Sequence, residues 1–272
     1  MINLMYAGND KVFDGLLISL LSITKHNKDE LSVFILTTDL SAFDENYKPF
    51  STAQAKILED VLKETNQNSK IQIIRVDEFN QELTDSANAN SSYTPFAYLR
   101  LYADEFNEIP NKILYLDYDT VANANISELY NINIENHEFA ASLDYYGRWF
   151  IGPRYCNSGV MLLNMQKIRE SKLFKKCREV CHTKKMLLPD QSALNKCVKK
   201  KLILPQKFNS QKKLKQNTVI RHFSKTIKFF PWFHTVNVKP WHIERLHEFY
   251  KCFEFDDILS KYTQIKEKYY EQ

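Results

Sequence analysis

An α/β fold built on a mixed, mostly parallel sheet, with a helical C-terminal appendage, is what this sequence predicts. Apolar runs of strand length alternate with amphipathic helical segments, and that alternation favours parallel neighbours. Several runs end in Gly, Asn or Asp, the residue types found where strands of an open sheet meet a ligand crevice. With 5 Gly and 8 Pro in 272 residues, and no internal repeat, there is little material for linkers between separate modules.

Taken in order, Ile2 to Ala7 reads as a strand closed by Gly8-Asn9-Asp10, and Gly15 to Thr24 as a helix with Leu16, Leu17, Leu20 and Leu21 on its apolar face. Strands follow at Ser32 to Thr37 and Ile71 to Val76, on either side of a helix from Thr52 to Glu64. Thr94-Pro95 opens a helix, with Thr as N-cap and Pro in the first turn, and carries Arg100 towards the next strand, Ile113 to Leu116. Strands at Phe139 to Leu143 and Gly159 to Leu163 precede helices at Met165 to Thr183 and Gln191 to Lys199. A short strand spans Val219 to Phe223, and helices at Trp241 to Phe249 and Ile258 to Tyr269 end the chain.

A composition of 44% hydrophobic and 26% charged residues is that of a globular chain, sufficient for one large α/β domain with or without a small appendage. Five cysteines without CxxC spacing indicate neither a disulfide framework nor a zinc knuckle, and a reducing cytosol fits them. No signal peptide or membrane-spanning stretch is read, so the expected location is cytoplasmic, soluble or peripheral on the inner face of the membrane. Charge is uneven beneath the net +4. Residues 191–243 hold twelve Lys/Arg and no acid, which leaves a formal −8 elsewhere. That segment suits a diphosphate or an anionic membrane in preference to nucleic acid, or it is an ordinary solvated surface. Its lysines, from Lys199-Lys200-Lys201 through Lys212, Lys213, Lys215 and Lys225 to Lys228, stand among Phe229, Phe230, Trp232, Phe233 and Trp241. Such a mixture serves either bilayer docking or a site whose aromatics close a core.

The chemistry is concentrated in Asp117-Tyr118-Asp119. Side chains at i and i+2 of a strand share a face, so the two carboxylates can hold a hard divalent cation and, through it, nucleotide phosphates. Alone, the triplet fits a solvated strand-end turn equally well. The surrounding blocks change its weight: MYAGND at 5–10, FAYLRLYADE at 96–105, KILYLDYDTV at 112–121, YCNSGVMLLN at 155–164, LPDQSALN at 188–195 and HFSKTIK at 222–228. In this order they resemble the family 8 retaining glycosyltransferases, the group of glycogenin and the bacterial lipopolysaccharide α-galactosyltransferases.

The resemblance implies a GT-A-type, Rossmann-like nucleotide-sugar-binding domain over residues 1–235, with 236–272 as a helical extension. It implies transfer of galactose or glucose from a UDP-sugar, with retention, to a hydroxyl of a saccharide, lipid-linked or protein acceptor. Asp117, Asp119 and His222 match the family's metal ligands, usually for Mn²⁺, with Mg²⁺ as the alternative ion. Ala7 and Asn9 match the uracil contacts, and Tyr118 falls on the donor side. Arg100, Asp144, Asn157, Asp190 and Gln191 match the sugar contacts, with Asp190 and Gln191 nearest the reaction. Lys228 matches the lysine that reaches the diphosphate. The family usually has a glycine between the histidine and the lysine, and Pro-Trp after the lysine; here Lys225 and Phe229-Phe230 take those places. Each residue also has an ordinary structural reading, such as a helix-entry turn for Asn9 or a surface arginine for Arg100. Two other functions fit a carboxylate pair on such a sheet: a nucleotidyltransferase, which would want a Gly-rich basic first loop, and an idle UDP-sugar-binding scaffold.

Overall fold

The computed structural model describes residues 1–89, 94–228, 232 and 234–270, with Lys228 and Tyr270 described by backbone alone. Phe229, Phe230 and Phe233 of the basic aromatic segment lie outside that set. Its strands are β1 (Ile2–Ala7), β2 (Leu31–Thr37), β3 (Lys70–Arg75), β4 (Lys112–Leu116), β5 (Thr120–Ala122), β6 (Phe139–Leu143), β7 (Cys156–Asn164), β8 (Lys201–Leu204), β9 (Ile220–His222), β10 (Thr226–Lys228) and β11 (His234–Val236). A seven-stranded sheet runs in the order β3-β2-β1-β4-β7-β6-β8. Every neighbouring pair is parallel except the two that involve β7, which runs against β4 and against β6.

That reversal positions the site. The amino end of β7, Cys156-Asn157-Ser158, lies at the same sheet edge as the carboxyl ends of β1, β4 and β6. One edge therefore collects Asn9, Asp117, Asp144 and Asn157. Two short ribbons lie outside the sheet. In one, β5 pairs with β9 so that Thr120 faces His222, bringing a residue more than a hundred positions away beside the carboxylate pair. The other is the β10–β11 hairpin.

Strand β1 is buried on both faces, and its side chains alternate between two cores. Leu4 and Tyr6 join Leu16 and Leu20 of the helix Phe13–His26, together with Ile258, Leu259 and Tyr262 of the helix Asp256–Tyr270. Met5 and Ala7 join Leu99, Phe174 and Leu194 on the opposite face.

Three helical expectations are corrected. The segment Pro95–Glu105 is a 3₁₀ helix, and Thr94 makes no side-chain capping bond. Phe96, Leu99 and Tyr102 recur every three residues, which stacks them on one side of a three-residue turn and buries them together. The stretch expected as one helix from Met165 to Thr183 breaks into Met165–Ser171 and Leu173–Thr183 at Lys172, a left-handed residue with φ 56°. In place of a helix from Trp241 to Phe249 there is a short turn, Ile243–Arg245, followed by the π-helical Leu246–Tyr250.

Candidate active site

Asp117 leaves the end of β4 with its N–H donated to Gly159 O on β7 at 2.7 Å. Its Oδ1 is held from below by Tyr115 OH at 2.7 Å and by Arg100 Nη2 at 3.0 Å. The Arg100 guanidinium lies 4.2 Å above the Tyr115 ring, donates from Nη1 to Ser158 O at 2.8 Å and stands 3.5 Å from Asp190 Oδ2. Burial works against its charge, but Asp117, Tyr115 and Asp190 outweigh it and hold the guanidinium above its usual range. Asp190, buried in the first turn of the helix Pro189–Cys197, has its carboxyl pushed up by burial while Arg100 pulls the other way. Arg100 is therefore no surface arginine. It ties the 3₁₀ segment, β4, β7 and the Asp190 helix into one wall.

Asp119 is buried. Its Oδ2 accepts from Lys239 Nζ, which also donates to Phe223 O at 2.9 Å, and its Oδ1 faces His222 Nε2 at 3.1 Å. Burial opposes the charge here too, yet the Lys239 ammonium keeps the Asp119 carboxyl well below the usual carboxylate range. Asp117 Oδ2 lies 3.6 Å from the same His222 nitrogen, and ligand atoms of Asp117, Asp119 and His222 all fall within 4.8 Å of one another.

The hydrogen bonds behind His222 fix which nitrogen faces the carboxylates. Asp144 Oδ2 accepts from Asn157 Nδ2 at 3.0 Å, so Asn157 Oδ1 points away and accepts from Asn209 Nδ2 at 2.9 Å. Asn209 Oδ1 is then left to accept from His222 Nδ1 at 3.1 Å. With its proton on Nδ1, the imidazole turns the Nε2 lone pair towards Asp119 Oδ1, a buried oxygen with no hydrogen bond of its own among the described residues. Two acceptors that close are stable only with positive charge between them, whether a proton or a metal ion. Carboxylate oxygens with one imidazole suit Mn²⁺ better than Mg²⁺, so the residues fit the expected cation.

Asp144 anchors a second part of the wall. Its Oδ1 accepts the N–H groups of Tyr146 and Gly147 at 3.1 and 2.6 Å, and its Oδ2 also lies 3.4 Å from Gln191 Nε2. Gln191 Oε1 accepts from Ser158 N at 3.0 Å. The turn after Asp144 raises Trp149 and Phe150 into solvent, 76% and 73% exposed.

Of the residues singled out in the sequence, Arg100, Asp117, Asp119, Asp144, Asn157, Asp190, Gln191 and His222 fall into this one web. Ala7 and Asn9 are buried at the carboxyl end of β1, where the Asn9 main chain bridges to Pro49 and its side chain makes no capping bond. The Tyr118 ring leans on Trp241, with centroids 5.8 Å apart. The backbone of Lys228 lies in the hairpin strand β10. Among the described side chains, Lys239 is a lysine that reaches the Asp119 carboxylate, and sequence reasoning missed it. Its signal was present: Lys239-Pro240-Trp241 is the Lys-Pro-Trp order expected after the histidine, displaced by the β10–β11 hairpin. Asn209 had no such signal. The basic segment does not gather at one place, since Lys201 starts β8 whereas Lys212 Nζ donates to Tyr146 OH at 2.8 Å. Among the described residues no helix is long and apolar enough to cross a membrane, and the five cysteines are free.

Comparison with known proteins bears on family and fold. The family profile described as Glycosyl transferase family 8 matches residues 3–244. The lipopolysaccharide glucosyltransferase WaaO of Escherichia coli (strain K12) is 25% identical over 255 residues, covering 86% of this chain and 71% of that protein. A probable glycosyl transferase, Gly, of Streptococcus gordonii is 32% identical over 115 residues, covering 42% of this chain; the matched part is 16% of that longer protein. A putative glycosyltransferase of Haemophilus influenzae (strain ATCC 51907 / DSM 11121 / KW20 / Rd) is 30% identical over 125 residues, 41% of this chain and 38% of its own length. The chain thus spans well under half the length of these last two relatives. The structure of the galactosyltransferase LgtC in complex with donor and acceptor sugar analogs superposes with a TM-score of 0.71 at 18% identity, covering 96% of both chains, which is a likeness of GT-A fold. Since the profile runs through nearly the whole sequence, the chain belongs to glycosyl transferase family 8.

Proposed function

We propose that this chain is a metal-dependent retaining hexosyltransferase that moves galactose or glucose from a UDP-sugar to an acceptor hydroxyl on a cell-surface glycan or glycoprotein. The observation that carries the reading is the continuous web from Asp144 through Asn157 and Asn209 to His222, which aims an imidazole lone pair at two carboxylates. In this reading Asp117, Asp119 and His222 hold Mn²⁺ or Mg²⁺, which when bound neutralises charge on the departing diphosphate. Lys239 takes the role of the diphosphate lysine, with Lys228 as a second basic group in the intervening hairpin.

Ala7, Asn9 and Tyr118 receive the nucleoside, while Arg100, Asp144, Asn157 and Asp190 orient the hexose. Both ends of the Gln191 amide are engaged, by Ser158 N and by Asp144, and an amide is a poor nucleophile. We therefore assign Gln191 a positioning role beside the anomeric carbon. The acceptor then enters on the face from which UDP departs, and a donor phosphate oxygen takes its proton. Residues 1–235 form the catalytic domain in this proposal, and the extension 236–272 contributes Lys239 to its site.

The test is UDP release from UDP-glucose and UDP-galactose without acceptor, with Mn²⁺, Mg²⁺ or chelator. Release that depends on the ion supports the reading, whereas tight UDP-sugar binding without turnover would mark an idle scaffold. In the full reaction, a β coupling constant in the NMR spectrum of the product would sink the retaining assignment. The expectation of contact with an anionic bilayer rests on the exposed Lys213, Lys215, Lys225 and Trp232. Equal sedimentation with neutral and anionic vesicles would remove it.

A further inference from the structure

Beside the helix that carries Asp190 and Gln191 is a cavity of about 380 Å³, lined by His137, Arg154, Asn195, Val198, Lys199, Lys200 and Lys201. Four of the seven are permanent or near-permanent cations, one is a histidine, and none is acidic. Elsewhere the chain pairs many of its lysines with carboxylates, as at Lys25–Asp257, Lys207–Glu128 and Lys261–Glu64. Among the described residues, Arg154, Lys199 and Lys200 form no ion pair. Crowding like charges around a concavity raises their mutual repulsion, which the Glu138 carboxylate against the Lys199-Lys200 main chain offsets in part and a bound anion relieves further.

Arg154, Lys199 and Lys200 are exposed, but the main chain that carries the two lysines is held in place. The buried carboxylate of Glu138 accepts the main-chain N–H groups of Lys199 and Lys200 at 2.6 and 3.0 Å, which fixes the turn and leaves both ammonium groups unspent. Lys201 Nζ donates to Asn195 Oδ1 at 2.7 Å, and the Asn195 amide donates to Cys156 O and Gln191 O, each at 2.8 Å. Burial, with Arg154 adding to it, pushes the Lys201 ammonium below its usual range, so positive charge in this cavity is under strain. His137 Nδ1 is buried without a hydrogen-bond partner among the described residues.

We propose that this cavity is a binding site for a phosphate-class anion, with Arg154, Lys199, Lys200 and His137 as its donors. The inference stands apart from the donor reading, since it uses none of the carboxylate web. Its position gives it a use: Asn195 follows Gln191 by one helical turn, about 6 Å along the axis. An anion bound here is either free phosphate or a phosphate carried on the glycan being extended.

The experiment is an NMR titration of the full chain, following the His137 imidazole signals, with inorganic phosphate in one arm and a phosphorylated hexose with its unphosphorylated parent in the other. Saturable binding is expected that weakens at least about 10-fold in Arg154→Ser/Lys200→Ser, because charge-assisted hydrogen bonds are removed. It is expected to be unchanged in Lys213→Ser/Lys215→Ser, which removes the same charge from two residues that do not line the cavity. Tighter binding of the phosphorylated hexose than of inorganic phosphate assigns the site to a glycan phosphate; equal binding assigns it to the free ion. No saturable shift, or equal weakening in the two double variants, overturns the proposal.

Discussion

Gly159 and His222 stand so close that the glycine cannot carry even a methyl group. A Cβ at 159 would lie 2.2 Å from His222 Cε1 and 2.7 Å from Asp117 Oδ2. Strand β7 thus supplies the floor on which two of the three expected metal ligands rest. Gly159→Ala is expected to push His222 and Asp117 apart and to weaken Mn²⁺ binding by about 10- to 100-fold, the usual scale for disturbing the support of a metal ligand. Calorimetric titration with Mn²⁺ checks this, with far-UV circular dichroism expected to match wild type.

Removing the ligands themselves goes further. Asp117→Ala, Asp119→Ala and His222→Ala should each lose metal-dependent UDP binding, and the double Asp variant should lose it completely. Asn209→Leu tests the relay behind His222. It leaves every ligand in place but takes away the acceptor for the Nδ1 proton, so metal affinity should drop by about 10-fold or more while UDP binding without metal is unchanged. Wild-type Mn²⁺ affinity in Asn209→Leu would show that the tautomer is set by something else.

Lys239 and Lys228 can be separated by comparing Lys239→Ala with Lys228→Ala. The expected cost of Lys239→Ala is about 100-fold in UDP-sugar turnover, the scale for removing one donor from developing negative charge. Lys228→Ala should cost much less. A reversed ranking in steady-state kinetics would return the diphosphate role to Lys228.

Glu59 offers a pH test away from the site. Hydrogen bonding from Lys63, then from Ile71 N at 3.1 Å, holds its carboxyl below the usual range although partial burial opposes this. A depressed folded pKa means that the stabilisation is complete above the unfolded value, near 4.3, and is lost as pH falls through the folded value. Glu59→Gln should therefore lower stability at pH 7 by about 0.5 kcal/mol, with the deficit shrinking as pH falls below the unfolded value, as read from thermal midpoints across pH. A deficit that does not change with pH would leave packing, not charge, as the cause.

Much of this molecule was legible in one dimension because strands buried on both faces announce themselves. Ile2 to Ala7 and Phe139 to Leu143 are apolar runs whose ends coincide with the observed strands. The direction of β7 was not legible, since an apolar strand reads the same whichever way its neighbours run. The break at Lys172 also left no mark, because the left-handed residue there is a lysine where a glycine would have signalled it. At the site, the residues of the short motifs come together as expected in one web, whereas Asn209 and Lys239, which join it across the fold, were not singled out. Asn209 matters only through Asn157 and His222, which are 52 and 13 positions away. Lys239 was passed over because the hairpin displaced its motif from the expected spacing.

The reversed strand has a further effect. Because β6 and β7 meet at one edge, residues 144–155 form a loop whose two ends are closed by Asp144 N donating to Tyr155 O at 2.9 Å. Its middle, at Trp149, Phe150 and Ile151, is solvent-facing. Lengthening such a loop costs only about 0.6 kcal/mol per doubling and leaves the ladder beneath unaltered. A foreign segment grafted between Gly147 and Tyr155 would therefore leave the Asp144 anchor and the sheet in place.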